Sequence, residues 1–274
     1  MSAVSHARPA GLLATALHAE WTKVRTLPGM IWLLAAAAVL TAATGAGAAA
    51  AFHCPAAGCS PAATGADPAR ISLTGLYLGQ VLVAVLAVLA VGGEYSDGMI
   101  RVTLTAVPRR LVVLLSKAII VAGLTLAASL VGVLGAVLAG RLLLPSRGMT
   151  AAHGYVVLSF SNITDVRATF GSVLYLVLIA LLALGITAAV RDSGVAIGVV
   201  LGLLFAFPLA ALIPDHILAR HLQQASPMIA GQYIETTVGM KSLPLTPWQG
   251  IGVLALWAFG ALLLGGLLLR FRDA

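Results

Sequence analysis

Gly92-Gly93-Glu94-Tyr95-Ser96-Asp97-Gly98-Met99-Ile100-Arg101-Val102-Thr103-Leu104-Thr105-Ala106-Val107-Pro108-Arg109-Arg110 is the stretch whose reading decides the fold. Ile71 to Val91 before it carries no charge, and Leu111 to Ala139 after it carries one lysine, Lys117. Each flank is long enough to cross a bilayer, which takes about 20 apolar residues as helix. Between them, Ser96 or Asp97 is placed to cap a short helix, with Ile100, Leu104 and Val107 at i, i+4 and i+7. Pro108 should end that helix, since it lacks an N–H and restricts the residue before it. Spacing alone leaves two readings open: an amphipathic helix with a basic tail, or a solvated turn between spans.

Composition settles the environment. Of 274 residues, 60% are hydrophobic and 9% charged, where a soluble domain carries about 25% charged residues. The expected fold class is an all-α membrane protein in which spans and short loops use up the chain. Its formal charge of +7 is dispersed over span ends, with no basic run interleaved with aromatics, so nucleic acid is not an expected partner. No secretory signal peptide is apparent, because the first apolar run begins only near residue 30 and is too long for one.

Outward from the central stretch, six transmembrane helices are expected at about 30–52, 71–91, 111–139, 170–190, 195–213 and 248–269. An interfacial helix at about 9–27 precedes them, with Leu13, Leu17, Trp21 and Val24 as its apolar stripe. Lys117 lies close enough to the membrane surface to snorkel. With the N-terminus inside, ten of the sixteen Lys and Arg face the cytoplasm, on the shorter loops. That bias makes both termini cytoplasmic. Pro208 is placed to kink the fifth span. In the last outer loop, Asp215–Gln224 reads as helix, and the apolar Pro227–Ile234 is too short to cross. Re-entrant or interfacial helices and an ordinary exposed loop both fit that segment.

Catalytic and metal-binding patterns are not evident. There is no Gly-rich phosphate loop ending in Lys-Ser/Thr, no His-Glu-x-x-His and no Gly-x-Ser-x-Gly. Asp215, His216 and His221 share a loop at the wrong spacing for a helix-borne metal site. Cys54 and Cys59 sit on the outer side, where a local disulfide is the favoured reading and would contribute about 2 kcal/mol; free thiols are the alternative. Span interiors carry almost no ionisable residues, which weighs against self-powered transport. Small residues recur at helix-packing spacing: Gly194, Gly198 and Gly202 on the fifth span, Ala128, Gly132, Ala136 and Gly140 on the third, Gly75 and Gly79 on the second. Packing within the chain is the expected use of these ridges, with a subunit interface as the alternative.

Three segments together resemble the membrane permease subunits of type-two ATP-binding cassette exporters, above all the small bacterial ones. They are Ala19-Glu20-Trp21-Thr22-Lys23-Val24-Arg25-Thr26 before the first span, Gly93 to Arg110 with Lys117 beyond it, and Ser226-Pro227-Met228-Ile229-Ala230-Gly231-Gln232 before the last. Met99 and Val102 depart from the family pattern, which often has Thr and an acidic residue at those places. The resemblance implies a single transmembrane permease domain over 1–274, in the cytoplasmic (plasma) membrane, working with a second permease chain, membrane lipids and a separate cytoplasmic ATPase. ATP and Mg would be bound by that ATPase, so this chain would be neither an enzyme nor a cofactor carrier. The 94–108 segment would be the coupling helix, with Glu94, Tyr95, Ser96, Arg101, Thr103, Pro108 and Arg109 transmitting force to the ATPase. Two rival classes stand beside this expectation: an ATP-independent carrier, whose signature would be charge in mid-membrane, and a membrane scaffold or immunity protein.

Overall fold

The computed structural model describes residues 9–53, 60–96, 110–155, 158–209 and 216–271, and among them it contains helices and no strands. α1 (Pro9–Thr26) ends at an extended Leu27, and α2 (Pro28–Ala51) starts with Pro28 in its first turn, where a missing N–H costs nothing. Short helices α3 (Pro61–Thr64) and α4 (Pro68–Ser72) lead through one 3₁₀ turn, Leu73–Gly75, into α5 (Leu76–Ser96). α6 (Arg110–Leu143), α7 (Ile163–Val190) and α8 (Ser193–Ala206) follow. The short α9 (His216–Ala225) and α10 (Pro227–Gln232), with 3₁₀ turns at Tyr233–Glu235 and Met240–Ser242, precede α11 (Pro247–Phe271).

Among the described residues, five stretches are long and apolar enough to span a membrane: Pro28–Ala51, Pro68–Gly93, Arg110–Leu143, Ile163–Val190 and Pro247–Phe271. The expected fifth span, 195–213, is different. Its helix α8 has 14 residues, about 21 Å, where the bilayer core is about 30 Å thick. It stops two residues before Pro208, which cannot donate to the helical ladder, so this proline terminates the helix rather than kinking it. Two other spans begin earlier than hydropathy predicts, at Pro68 and Ile163 instead of 71 and 170. In both, a side-chain cap fixes the start: Asp67 accepts from the Ala69 amide at 3.0 Å, and Asn162 from the Thr164 amide at 3.2 Å.

α7 is the central post. Its residues are buried nearly all round, with Tyr175, Leu176, Ile179, Ala180 and Leu184 shielded completely or almost so. A helix apolar on every face belongs in the middle of a bundle. α5, α6, α8 and α11 surround it, while α2 packs on the outside against α5 and α6. Close approach between helices depends on small residues here. A Cβ at Gly132 would lie 2.9 Å from the Ala38 carbonyl of α2, and one at Gly75 would collide with the Thr41 carbonyl. One at Gly265 would lie 2.7 Å from the Gly185 carbonyl of α7. The ridge of α6 and the glycines of the second span therefore serve packing within the chain.

Gly194, Gly198 and Gly202 do not. Among the described residues, a Cβ at Gly198 or Gly202 would meet nothing within 4 Å, and at Gly194 only the nearby Asp192 carboxyl at 3.4 Å. The face of α8 that packs is Ala196, Val200 and Leu204. Among the described residues this ridge finds no packing partner within the chain, because the bulkier residues four apart hold the contact and turn the glycines away.

Candidate functional site

The structure gathers polar groups at two places, one at each end of the bundle. At the end where α5 stops and α6 begins, α1 lies against α6. Its buried stripe is Ala16, Glu20 and Val24. The stripe expected from hydropathy ran through Leu13, Leu17, Trp21 and Val24, but Trp21 is 49% exposed and Glu20 only 8%. The cause is Lys117. Its ammonium sits 3.0 Å from Glu20 Oε2, and Lys23 reaches Glu20 Oε1 at 3.1 Å. Lys117 is 3% exposed, so it does not snorkel. Its charge is compensated inside the protein, as a buried ion must be.

Beside this pair a cavity of about 380 Å³ opens between α1, α2, α5 and α6, lined by Glu20, Lys23, Leu27, Leu89, Gly93 and Lys117 among others. At the same end the last carbonyls of α11 are capped from two other helices. Arg110 Nη1 donates to the Leu269 carbonyl at 2.6 Å, and Arg191 Nη2 to that of Leu268 at 3.1 Å. Arg191 is itself held at φ 65° in the tight turn from α7 to α8. A Cβ at Gly92 would collide with Ser193, so α5 also touches the start of α8. One end of the bundle is therefore cross-linked by polar contacts among α1, α6, α7 and α11.

The opposite end is built around the segment between α8 and α11. Trp257, ten residues into α11 and so about 15 Å from its start, donates its indole N–H to the Ala225 carbonyl at 2.9 Å. Five residues on, Ala230 abuts Gly250, where a Cβ would collide with its carbonyl. The chain thus turns at Ala225-Ser226 deep alongside α11 and climbs back through α10, whose start Ser226 caps by accepting from the Ile229 amide at 3.1 Å. Of the two readings open for this loop, buried short helices are what the structure has: Pro227, Met228, Ala230, Gly231 and Gln232 are all buried. Irregular backbone at such depth is tolerated only inside protein.

Three anchors hold the hairpin. Asp67, at the head of the second span, accepts from the Thr237 amide at 2.6 Å, its hydroxyl at 2.7 Å and the Val238 amide at 2.9 Å. Arg167 of α7 donates to the Thr236 carbonyl, and its other terminal nitrogen lies 3.1 Å from Met240 Sδ. Deeper in, the Tyr175 hydroxyl donates to Gln80 Oε1, and Gln80 Nε2 approaches Met228 Sδ at 3.6 Å. Glu235 closes this core at 4% exposure. Burial, the largest influence, pushes its carboxyl up to about 8; Arg70 opposes the rise and Asp67 adds to it. Among the described residues, Oε1 of Glu235 has no hydrogen-bond partner.

Between α7, α8 and α11 runs an apolar groove of about 640 Å³, with Leu182, Ile186, Leu203, Leu256 and Trp257 in its walls.

The residues expected to couple to an ATPase are not brought together by described contacts. α5 carries Glu94, Tyr95 and Ser96 in its last turn. Arg101, Thr103, Pro108 and Arg109 lie outside the described residues, as do Cys54 and Cys59. Among the described residues no three His, Cys, Asp or Glu side chains come together as a metal site. Sequence reasoning quoted Glu20 only as part of the leader segment and passed over Asp67, Gln80 and Glu235. Asp67 was signalled by the Asp-Pro pair that opens a helix. Glu235 was not, because one acidic residue after an apolar run reads as a loop.

No curated protein matches the chain. The family described as ABC-2 family transporter protein matches residues 16–209, from within α1 to beyond α8 and well over half the chain. The resemblance to type-two permease subunits is borne out over residues 16–209; the third segment that carried it, 226–232, lies outside the matched span. The chain belongs to the ABC-2 family of transporter proteins, as a multi-pass permease subunit of an ABC transporter whose partner is an ABC ATPase.

Proposed function

We propose that this permease is the membrane half of an ATP-driven exporter in the plasma membrane, with both termini cytoplasmic. The 94–108 segment is its coupling helix. It docks on the separate ATPase, which binds ATP and Mg, and a second permease chain, identical or related, completes the path. The one observation that carries this reading is the polar bracing at the end where α5 and α6 flank that segment. Glu20 and Lys117 clamp α1 to α6, and Arg110, the first residue of α6, grips the last turn of α11. A push on 94–108 would then reach α1, α6 and α11 as one body instead of being lost in side-chain motion. An ATP-independent carrier needs charge along its path; Glu235 is the one observation on its side, and it stands at the far end from the bracing.

The test is Glu94→Ala and Arg101→Ala in the full complex. Either should reduce ATPase association or permease-stimulated ATP turnover while membrane insertion stays normal. Transport unaffected by both would remove the coupling assignment.

A further inference from the structure

We propose that Glu235 is a proton-binding site in the hairpin between α8 and α11, loaded while the hairpin is packed and emptied to the outer aqueous phase when it lifts. The geometry sets this up. The 3₁₀ turn Tyr233–Glu235 lies between α7, α10 and α11, and Ile234 fills the notch at Gly171, where a Cβ would collide with it. That leaves Glu235 4% exposed, with one carboxyl oxygen lacking any hydrogen bond among the described residues.

An ionised carboxylate held this way has no compensation equal to its lost hydration. Its charged surroundings are mixed. The head of the second span presents Asp67, Arg70 and Tyr77. α7 presents Tyr175, together with Arg167, which is committed to the Thr236 carbonyl, and Asp165 two residues before it. Tyr233 stands on the turn itself. α10 contributes no ionisable group, and α11 none before Arg270 at its far end. Arg70 acts to lower the Glu235 proton affinity, and burial outweighs it. The packed hairpin therefore holds the neutral acid.

Lifting the hairpin hydrates the carboxyl and returns it to its ordinary range near 4.5. The bond that breaks is O–H, and the proton leaves to water. Because the packed state binds the proton more tightly, packing is favoured fully below about 4.5. That advantage is lost progressively as the pH rises to about 8, and no further change follows above. In that window the population of the lifted hairpin grows about tenfold per pH unit.

Two measurements on the full-length permease in lipid nanodiscs test this. In infrared difference spectra, a protonated-carboxyl band present at pH 6 should vanish with a midpoint near 8 and be missing from E235Q. Independently, Met228→Cys in a C54S/C59S background, 3% exposed in the parent residue, is labelled from outside with an impermeant maleimide. Its labelling rate, divided by that of the same protein carrying E235Q, should rise about tenfold per unit from pH 6 to 8 and then level off. A wild-type spectrum with no carboxyl titrating above pH 6 overturns the site whatever the variant does. A labelling ratio independent of pH overturns the link between the proton and the lifted hairpin.

Discussion

The two ends of the bundle bury charge in opposite ways. Where α1 meets α6, Glu20 sits between two lysines and Lys117 is shielded as completely as a core leucine. In the hairpin core, Glu235 is shielded to the same degree with an oxygen unsatisfied. A buried charge with its counter-ion in hydrogen-bond contact is a fixed part of the fold, since separating the pair strands both partners. A buried acid without one stays neutral and responds to pH. The end that flanks the proposed coupling segment is built as a joint that does not yield, and the other is held by contacts that, on the proposal above, protonation tips.

The largest effect expected from breaking this contrast is at the joint. Lys117→Met leaves Glu20 buried with only Lys23, whose side chain is about one-third exposed, and should cost roughly 3–5 kcal/mol of stability in detergent. The double variant Glu20→Leu/Lys117→Met should recover most of that loss, since it strands no charge. A double variant as unstable as the single one would mean that packing, and not charge, is what Lys117 supplies.

Next comes the hairpin's main anchor. Asp67→Ala removes the acceptor for two amides and a hydroxyl and one helix cap, and should cost roughly 2–3 kcal/mol. Because the loss falls on the hairpin, labelling at the Met228 position should speed up in this variant and stay unchanged in Lys117→Met. Equal acceleration in both would show that the two ends are one cooperative unit.

Glycine substitutions sharpen the comparison at a smaller scale. Gly75→Ala drives a methyl into the Thr41 carbonyl and should cost about 1–3 kcal/mol. Gly198→Ala meets open space, so the isolated chain should be unchanged or stabilised by up to about 1 kcal/mol. Thermal melting of the two variants side by side checks this. If Gly198→Ala instead weakens self-association, the ridge on α8 serves a contact between copies of this chain.

How far the sequence told this in advance depended on the kind of signal. Hydropathy found α2, α6 and α11 within a few residues, because a bilayer demands an unbroken apolar run. It placed the starts of the second and fourth spans too late. Arg70, Asp165 and Arg167 interrupt those runs, yet the hairpin supplies partners such as the Thr236 carbonyl for Arg167, so the helices continue through them. Spacing revealed small-residue ridges but not which of them had a neighbour: the α6 ridge faces α2, and the α8 ridge faces away. Lys117 was misjudged for the same reason. A lysine one or two turns into a span snorkels unless an acid meets it, and Glu20 lies 97 residues away in the chain. Glu235 was illegible, because its burial is decided by three helices that no local window contains. The family motif at 93–110 was legible from residue types alone, while four of the seven residues given the coupling role, Arg101, Thr103, Pro108 and Arg109, lie outside the described residues.

The pH dependence of stability is the most specific effect expected. Thermal stability of the wild-type permease should decline as the pH is raised from 6 towards 8, and that of E235Q should not, since an amide has no proton to lose.

The measurement that most directly tests the whole account is purification of the tagged permease from its native membrane in mild detergent, with its companions identified by mass spectrometry. The account predicts a P-loop ATPase at near-equal amount, retained by the wild type and depleted by Glu94→Ala or Arg101→Ala. A permease that arrives without any ATPase, under conditions that keep a known ABC transporter intact, would contradict it.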